Sequence, residues 1–204
     1  HMSRLFEEVS KYRDKLWLDN IDQLLMGLRE RLETDEAFIR VAFPFFIDKA
    51  APVTKSIGPI SYQCAIGGKV DEKGCDITLE VSVPVTTLCP CSRALSQKGA
   101  HNQRGVIKTV VRFKKPIWIE DMVELVESCA SCGIYSVLKR PDEKYVTERA
   151  YSRPRFVEDV VREVAGILQK DDNITWFAVE AVSQESIHDH DAYAFIKRDK
   201  RVKD

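Results

Sequence analysis

The alternation of apolar and polar side chains over residues 76–85 constrains the fold of this chain more than any other feature. Every second residue from Ile77 to Val83 is apolar, and the residues between them are polar or acidic. A period of two is typical of a strand with one buried face and one face in water. Residues 106–113 repeat the pattern. The sequence therefore predicts an antiparallel sheet with one covered face.

The spacing of apolar residues predicts the other elements. Predicted strands are 38–47, 61–70, 175–183 and 193–197, and predicted helices are 4–17, 21–32, 120–128 and 154–169. Pro154 suits the first turn of the last helix. Residues 86–105 are predicted to be irregular. The first third of the chain is thus helix, helix, strand, strand, and the rest is strand, strand, helix, helix, strand, strand.

These two parts resemble copies of one ββααββ plan, which predicts an α+β protein with modules at 1–74 and 75–204. The first module lacks its opening hairpin. A module without those two strands leaves a sheet edge open, which either a partner chain or further upstream residues must cover. We expect upstream residues.

Composition excludes several classes of protein. The 31 basic and 32 acidic side chains give a net charge of -1, which argues against a general nucleic-acid binder. The apolar runs are too short to span a bilayer, and the charged stretch 3–13 is not a signal peptide. We therefore expect a cytoplasmic protein that does not contact nucleic acid or membrane.

Two cysteines, Cys89 and Cys91, stand in a proline-stiffened segment, and His101 follows ten residues later. In an extended or turn segment both thiols can face one cavity. Thiolate and imidazole together favour zinc or a similar divalent metal. This spacing differs from a Cys-x-x-Cys knuckle, so two buried cysteines with a hydrogen-bonded histidine remain an alternative.

The other four cysteines are predicted to be structural. Cys129 and Cys132 form a Cys-x-x-Cys at the end of a predicted helix, whereas a redox motif favours a helix start, where the dipole lowers the thiol pKa. Cys64 and Cys75 have no polar neighbours and are expected in the core.

Three further segments carry candidate polar groups. Glu185 and His188 lie three residues apart after a strand and can converge on a metal, with His190 nearby, although a solvated acidic loop is the alternative. Residues 139–144 are predicted to be a charged hairpin turn. Glu158 opens a predicted helix, where a carboxylate interacts favourably with the positive end of the dipole, and Asp159 beside it suits that role equally well.

Taken in order, these segments resemble the bacterial type IB GTP cyclohydrolases. Leu-Cys-Pro-Cys-Ser at 88–92, followed by Gly-Ala-His-Asn-Gln-Arg at 99–104, is similar to that family's signature. The resemblance covers nearly the whole chain and includes residues 1–4, 43–46, 51–53, 139–143, 156–159 and 185–188. It implies a tunnelling fold of two ββααββ modules, an additional N-terminal segment, and a homotetramer with sites at subunit interfaces.

The resemblance also implies a divalent metal, Zn²⁺, Mn²⁺ or Fe²⁺. Cys89 resembles the metal thiolate, and the other residues around the metal correspond to His101, Glu143 and Glu185. Which of them bind directly depends on the metal.

Roles beside the metal follow from the same resemblance. Cys91 corresponds to a second essential thiol near the substrate, and His188 or His101 to the proton carrier. Glu158 corresponds to the carboxylate that holds guanine, since a carboxylate accepts bonds from the N1–H and the 2-amino group. The expected triphosphate ligands are Arg104 and, as further candidates, Lys108, Arg149 and Arg153.

The implied reaction hydrolyses GTP to 7,8-dihydroneopterin triphosphate and formate, for folate or for a queuosine-type modified base. Water attacks C8, the imidazole ring opens, and the ribose rearranges into the pterin ring. One alternative is the archaeal-type ferrous enzyme, which yields a cyclic phosphate. Another is a non-catalytic purine- or pterin-binding protein of the same fold.

Overall fold

The computed structural model describes residues 2–13 and 18–202, and an antiparallel sheet is its central element. Six strands run side by side in the order β1-β2-β3-β4-β6-β7, and the short β5 pairs with the end of β3. The strands are β1 (Ala37–Ala50), β2 (Ile57–Asp71), β3 (Gly74–Leu88), β4 (Asn102–Phe113), β5 (Cys132–Gly133), β6 (Ile174–Ser183) and β7 (Ala192–Asp199).

Helices cover one face of this sheet, which gives the α+β class predicted from the sequence. They are α1 (Met2–Ser10), α2 (Ile21–Leu32), α3 (Pro90–Leu95), α4 (Ile119–Cys129), α5 (Arg140–Ser152) and α6 (Val157–Lys170). Helix α2 packs on β1 and β2, α4 on β3, and α6 on β6 and β7. None of the helices in the described ranges is long and apolar enough to cross a membrane.

The alternation in the sequence decides which side chains enter the core. Along β3, Leu79, Val81, Val83 and Val85 are fully buried beneath the helices, while the residues between them are partly exposed. At about 25 cal/mol per Å² of apolar surface removed from water, such a row is a main source of stability. All the predicted strands are confirmed, each with a few extra residues at its ends.

Four predictions need correction. Residues 139–144 are not a hairpin turn: Lys139 is the N-cap of α5 and residues 140–144 form its first turns. The buried residues of α5 are only Asp142 and Ala150, so the segment shows almost no apolar period. The last helix begins at Val157, after Pro154. The irregular stretch 86–105 contains α3 and the adjoining ends of β3 and β4. The predicted helix 4–17 is observed as Met2–Ser10, and residues 14–17 lie outside the described ranges.

The predicted boundary between the two modules falls at the turn between β2 and β3. These strands pair from Gln63–Ser82 to Asp71–Gly74, so the sheet is continuous across the boundary. One hydrophobic core also includes residues from both sides of it. The two-module division therefore stays a prediction. Strands β1 and β7 form the two edges of the sheet.

The cysteines divide by burial. Cys64, Cys129 and Cys132 are buried, as expected of structural residues, and burial raises the pKa of each thiol. Cys75 was expected in the core but is exposed, because it lies next to the β2–β3 turn at the end of the hairpin.

Candidate active site

The helix-covered face of the sheet changes from apolar to polar at one end. In β3 the row of buried valines ends in Thr87, and in β6 the corresponding row ends in Ser183. The hydroxyl groups of Thr87 and Ser183 hydrogen-bond to each other at 3.0 Å in a fully buried position. Beyond this pair the same face carries residues with reactive side chains.

Cys89 follows β3 directly and caps α3. Its Sγ accepts a hydrogen bond from the backbone N–H of Ser92 at 3.4 Å, and Pro90 occupies the first turn of the helix. The backbone N–H of Cys89 donates to the carbonyl of His101 at 3.1 Å. The Ser92 Oγ accepts from the backbone N–H of His101 at 3.3 Å. These bonds hold Cys89 and His101 next to each other.

Gln103 joins His101 to Glu185. The Gln103 Oε1 lies 2.8 Å from His101 Nδ1, and the Gln103 Nε2 donates to Glu185 Oε1 at 3.3 Å. The direct distance from His101 Nδ1 to Glu185 Oε2 is 3.9 Å, and both side chains are nearly buried, with 11% and 14% of their surface exposed. The β4–β6 pairing brings these residues together.

A shallow pocket of about 460 Å³ opens over this group. Cys89, Cys91, His101 and His188 are among its lining residues, so both thiols of the Cys-Pro-Cys segment face one cavity, as predicted. Cys91 and His188 are exposed. The ring of His188 stacks on that of His190, with 5.1 Å between ring centres.

Glu158 lies at the same end of the sheet. The backbone N–H of Arg155 donates to the carbonyl of Leu88 at 3.0 Å, so the segment before α6 runs beside the residue that precedes Cys89. Glu163 pairs with Arg153 at 3.1 Å and with Arg155 at 2.9 Å, which steadies this connection. Glu158 is exposed in the first turn of α6.

Glu143 is not brought to the other predicted metal residues within this chain. It is exposed in the first turn of α5 and is not among the residues that line the pocket beside Cys89. Its neighbour Asp142 is fully buried and accepts hydrogen bonds from the backbone N–H groups of Val53 and Thr54, at 2.8 and 2.9 Å. Burial by itself would raise the pKa of Asp142, but the hydrogen bond from the Thr54 hydroxyl at 2.6 Å, together with the backbone bonds from Thr54, Lys139 and Val53, holds it well below the usual range.

Arg104 points away from His101, into a larger cavity of about 660 Å³. Leu88, Ala100 and Asn102, each adjacent to a site residue, also line this cavity. The wall includes Lys98, Tyr135 and Tyr151 as well. The Lys49 Nζ lies 4.2 Å from the centre of the Tyr135 ring and donates to the carbonyl of Ile134 at 3.0 Å, which holds that part of the wall.

The donor atoms at the sheet end suit a divalent metal by type. A thiolate, an imidazole and a carboxylate, from Cys89, His101 and Glu185, are ligands that zinc and similar metals accept. Within residues 2–13 and 18–202, however, no three His, Cys, Asp or Glu side chains are close enough together to hold a metal. Cys89, His101 and Glu185 thus have donor atoms of the right type and lie at the same end of the sheet. The side chain of Gln103 lies between those of His101 and Glu185.

Gln103 belongs to the motif at 99–104, but the motif by itself does not indicate a role for it. The face that it shares with His101 could not be predicted, because residues 86–105 were expected to be irregular, whereas β4 in fact begins at Asn102 and places His101 and Gln103, two residues apart, on one face. The link to Glu185 required the pairing of β4 with β6, which lies outside any local pattern.

Comparison with known proteins identifies one family. A family model described as type I GTP cyclohydrolase folE2 matches residues 1–194. The GTP cyclohydrolase FolE2 of Syntrophobacter fumaroxidans is 49% identical over 201 residues, covering 98% of this chain and 78% of that protein. The FolE2 of Geotalea uraniireducens is 48% identical over 203 residues, covering 100% and 74%. The FolE2 of Dictyoglomus thermophilum is 49% identical over 198 residues, covering 97% and 76%.

Among solved structures, the uricase from Arthrobacter globiformis aligns with 96% of this chain and 74% of its own, at 9% sequence identity. The TM-score is 0.48, a likeness too distant to assign fold or function.

Proposed function

The chain belongs to the type I GTP cyclohydrolase FolE2 family, and on this premise we propose that it hydrolyses GTP to 7,8-dihydroneopterin triphosphate and formate, the first step of folate biosynthesis. The structural observation that carries the proposal is the convergence of Cys89, His101 and Glu185 at one end of the sheet. These residues come from three separate parts of the sequence, which argues against a local structural metal knuckle.

Cys89, His101 and Glu185 are the proposed residues that hold a divalent metal, Zn²⁺, Mn²⁺ or Fe²⁺. When bound, such a metal acts as a Lewis acid that makes water nucleophilic near neutral pH. The three side chains are held by hydrogen bonds to the backbone or to Gln103, and they would have to move closer together to bind one metal ion.

His188 is the proposed proton carrier. It is exposed at the rim of the pocket that Cys89 lines, and histidine is the side chain that most often serves as a general acid or base. Protonation of an imidazole nitrogen of the substrate allows the bond to C8 to break after water has added there. Cys91, on the exposed side of the same pocket, is the proposed second thiol beside the substrate.

Glu158 and Arg104 are the proposed substrate ligands. The Glu158 carboxylate at the start of α6 accepts two hydrogen bonds from the N1–H and 2-amino edge of guanine. Arg104 and Lys98 line the 660 Å³ cavity, which also contains Glu148, and these two cations are the proposed contacts for the triphosphate. Lys108 is a weaker candidate, because it already pairs with Glu180 at 2.9 Å.

A tunnelling fold in a homotetramer is the proposed assembly. Glu143 supports this arrangement, because it is exposed on α5 and does not reach Cys89 in its own chain. In the assembly, Glu143 would complete a site from a neighbouring subunit. The two exposed sheet edges, β1 and β7, are the surfaces at which subunits would join.

The decisive experiment is a GTP turnover assay on chelator-stripped protein to which Zn²⁺, Mn²⁺ or Fe²⁺ is returned. We expect formate release and a pterin-fluorescent product, and we expect Cys89→Ala to lower turnover about a thousandfold or more, a loss of about 4 kcal/mol of transition-state stabilisation. Cys75→Ala is the matched control, because Cys75 is exposed and lies at the far end of β3.

Other outcomes separate the alternatives. A cyclic phosphate product with Fe²⁺ would indicate the archaeal-type reaction. Binding of GTP without turnover, under every metal tested, would contradict the cyclohydrolase proposal and support a binding protein.

A further inference from the structure

The side chain of Gln103 lies between His101 and Glu185 and contacts both. Its Oε1 lies 2.8 Å from His101 Nδ1, and its Nε2 lies 3.3 Å from Glu185 Oε1. Strand pairing with Thr87 fixes its backbone, and the side chain is half-buried on the same face of the sheet as His101. The amide therefore has a polar partner at each end.

With Glu185 as a carboxylate, the two contacts together require a hydrogen on His101 Nδ1. An ionised carboxylate can only accept, so the amide NH₂ must face Glu185. The amide oxygen then faces His101, and it too can only accept, so His101 Nδ1 must carry the hydrogen. With the amide reversed, its oxygen would lie against the carboxylate oxygen and repel it.

The consequence concerns the other ring nitrogen. A neutral imidazole protonated at Nδ1 has an unshared electron pair at Nε2. Among residues 2–13 and 18–202, no hydrogen bond is made to His101 Nε2, and His101 lines the pocket that also contains Cys89. A lone pair at Nε2 is what metal ligation or proton acceptance requires.

We propose that Gln103 is a positioning residue that holds His101 in the Nδ1–H tautomer and so keeps Nε2 free for the metal. Histidines that bind metals commonly donate the other ring N–H to a carboxylate or carbonyl oxygen. Here the oxygen belongs to an amide that Glu185 orients. The tautomer follows from the contacts alone, whereas its use at a metal rests on the proposed function.

The tautomer can be measured without metal or substrate. In ¹⁵N-histidine-labelled, metal-free protein, long-range ¹H–¹⁵N spectra distinguish a protonated Nδ1 from a protonated Nε2. The chain has four histidines, and the signals that vanish in His101→Ala belong to His101. We expect a protonated Nδ1 in the wild type and loss of that preference in Gln103→Met, which keeps the length of the side chain without its hydrogen bonds.

Gln63→Met is the matched control, because Gln63 is exposed on β2 and lies outside the site. We expect it to leave the His101 signals unchanged. A protonated Nε2 in the wild type would overturn the proposal even if Gln103→Met failed to fold. An unchanged Nδ1–H tautomer in folded Gln103→Met would overturn it as well.

Zinc titration of the same proteins tests the link to the metal. We expect Gln103→Met to weaken Zn²⁺ binding about 10–100-fold, and Gln63→Met to leave it unchanged. Unchanged zinc affinity in Gln103→Met would overturn the role of Gln103 at the metal. It would leave the cyclohydrolase proposal intact, since the turnover assay tests that separately.

Discussion

The middle and the end of the helix-covered sheet face follow the same backbone geometry but carry different chemistry. In the middle, most positions that face the helices hold fully buried apolar residues, such as Val83, Ile107 and Phe177, although the buried Thr109 on β4 is polar. At the end, the same rows continue into Thr87 and Ser183, and then into His101, Gln103 and Glu185. The apolar part stabilises the fold, and the polar part positions reactive groups.

The comparison teaches how a rigid site is built on this sheet. The polar residues at the end lie in β3, β4 and β6 or directly next to them, and the middle of each of these strands is closely packed in the core. Small displacements of the site residues are therefore resisted by the core. The difference between the regions predicts that substitutions in the middle affect stability and that those at the end affect turnover.

The largest effect on stability is expected from Phe177→Ala in the middle of β6. Phe177 is 2% exposed, and removing its ring leaves a cavity, so the free energy of unfolding should fall by about 3–5 kcal/mol. Denaturant unfolding measures this change. Phe38→Ala is the control, because Phe38 is 81% exposed, and its effect should stay within about 0.5 kcal/mol. Equal losses in the two variants would contradict the assignment of the core.

A smaller effect is expected at the boundary between the regions. Thr87→Val keeps the shape of the side chain but leaves the Ser183 hydroxyl buried without a partner, so we expect a loss of about 1–3 kcal/mol. Replacing both residues, as Thr87→Val with Ser183→Ala, removes the unpaired group and should recover part of that loss. Strictly additive losses in this double-mutant cycle would show that the two hydroxyl groups do not interact.

At the polar end, Glu185→Gln should separate stability from activity. The amide can still accept a hydrogen bond from Gln103, so the free energy of unfolding should change by less than about 1 kcal/mol. Loss of the charge should reduce GTP turnover at least about tenfold, or about 1.4 kcal/mol. Glu124→Gln removes the same charge from an exposed position on α4 and should leave turnover unchanged. Full activity of Glu185→Gln would contradict the proposed role of Glu185 in the active site.

The smallest effect is expected from the exposed thiol far from both regions. Cys75→Ala should change the free energy of unfolding by no more than about 0.5 kcal/mol. At pH 8, mass spectrometry after brief alkylation should find the two exposed thiols, Cys75 and Cys91, labelled, although partial burial also raises the pKa of Cys75. Burial raises the pKa of Cys64 to about 11, so its reactive thiolate is scarce at that pH, and Cys64 should label only on unfolding. Rapid labelling of Cys64 in native protein would contradict its burial.

Elements that depend on neighbouring residues could be predicted from the sequence, whereas elements that depend on distant contacts could not. Strands β3 and β4 were predicted because their alternation is visible within ten residues. Helix α5 was missed because a polar contact holds it in place, as Asp142 accepts bonds from the turn after β1, almost ninety residues earlier in the chain. Cys75 was misplaced because the composition around it says nothing about its position at a hairpin end.

By itself, the sequence determined the strands and the principal helices, the covered face of the sheet, and the family resemblance carried by Cys89, Cys91 and His101. These features depend on local periodicity and on short motifs, which can be read without knowing what packs against them. The tertiary structure alone decided that Gln103 bridges His101 and Glu185, and that Glu143 lies apart from them in this chain. Such placements depend on strand register and helix docking, which bring together residues more than eighty positions apart.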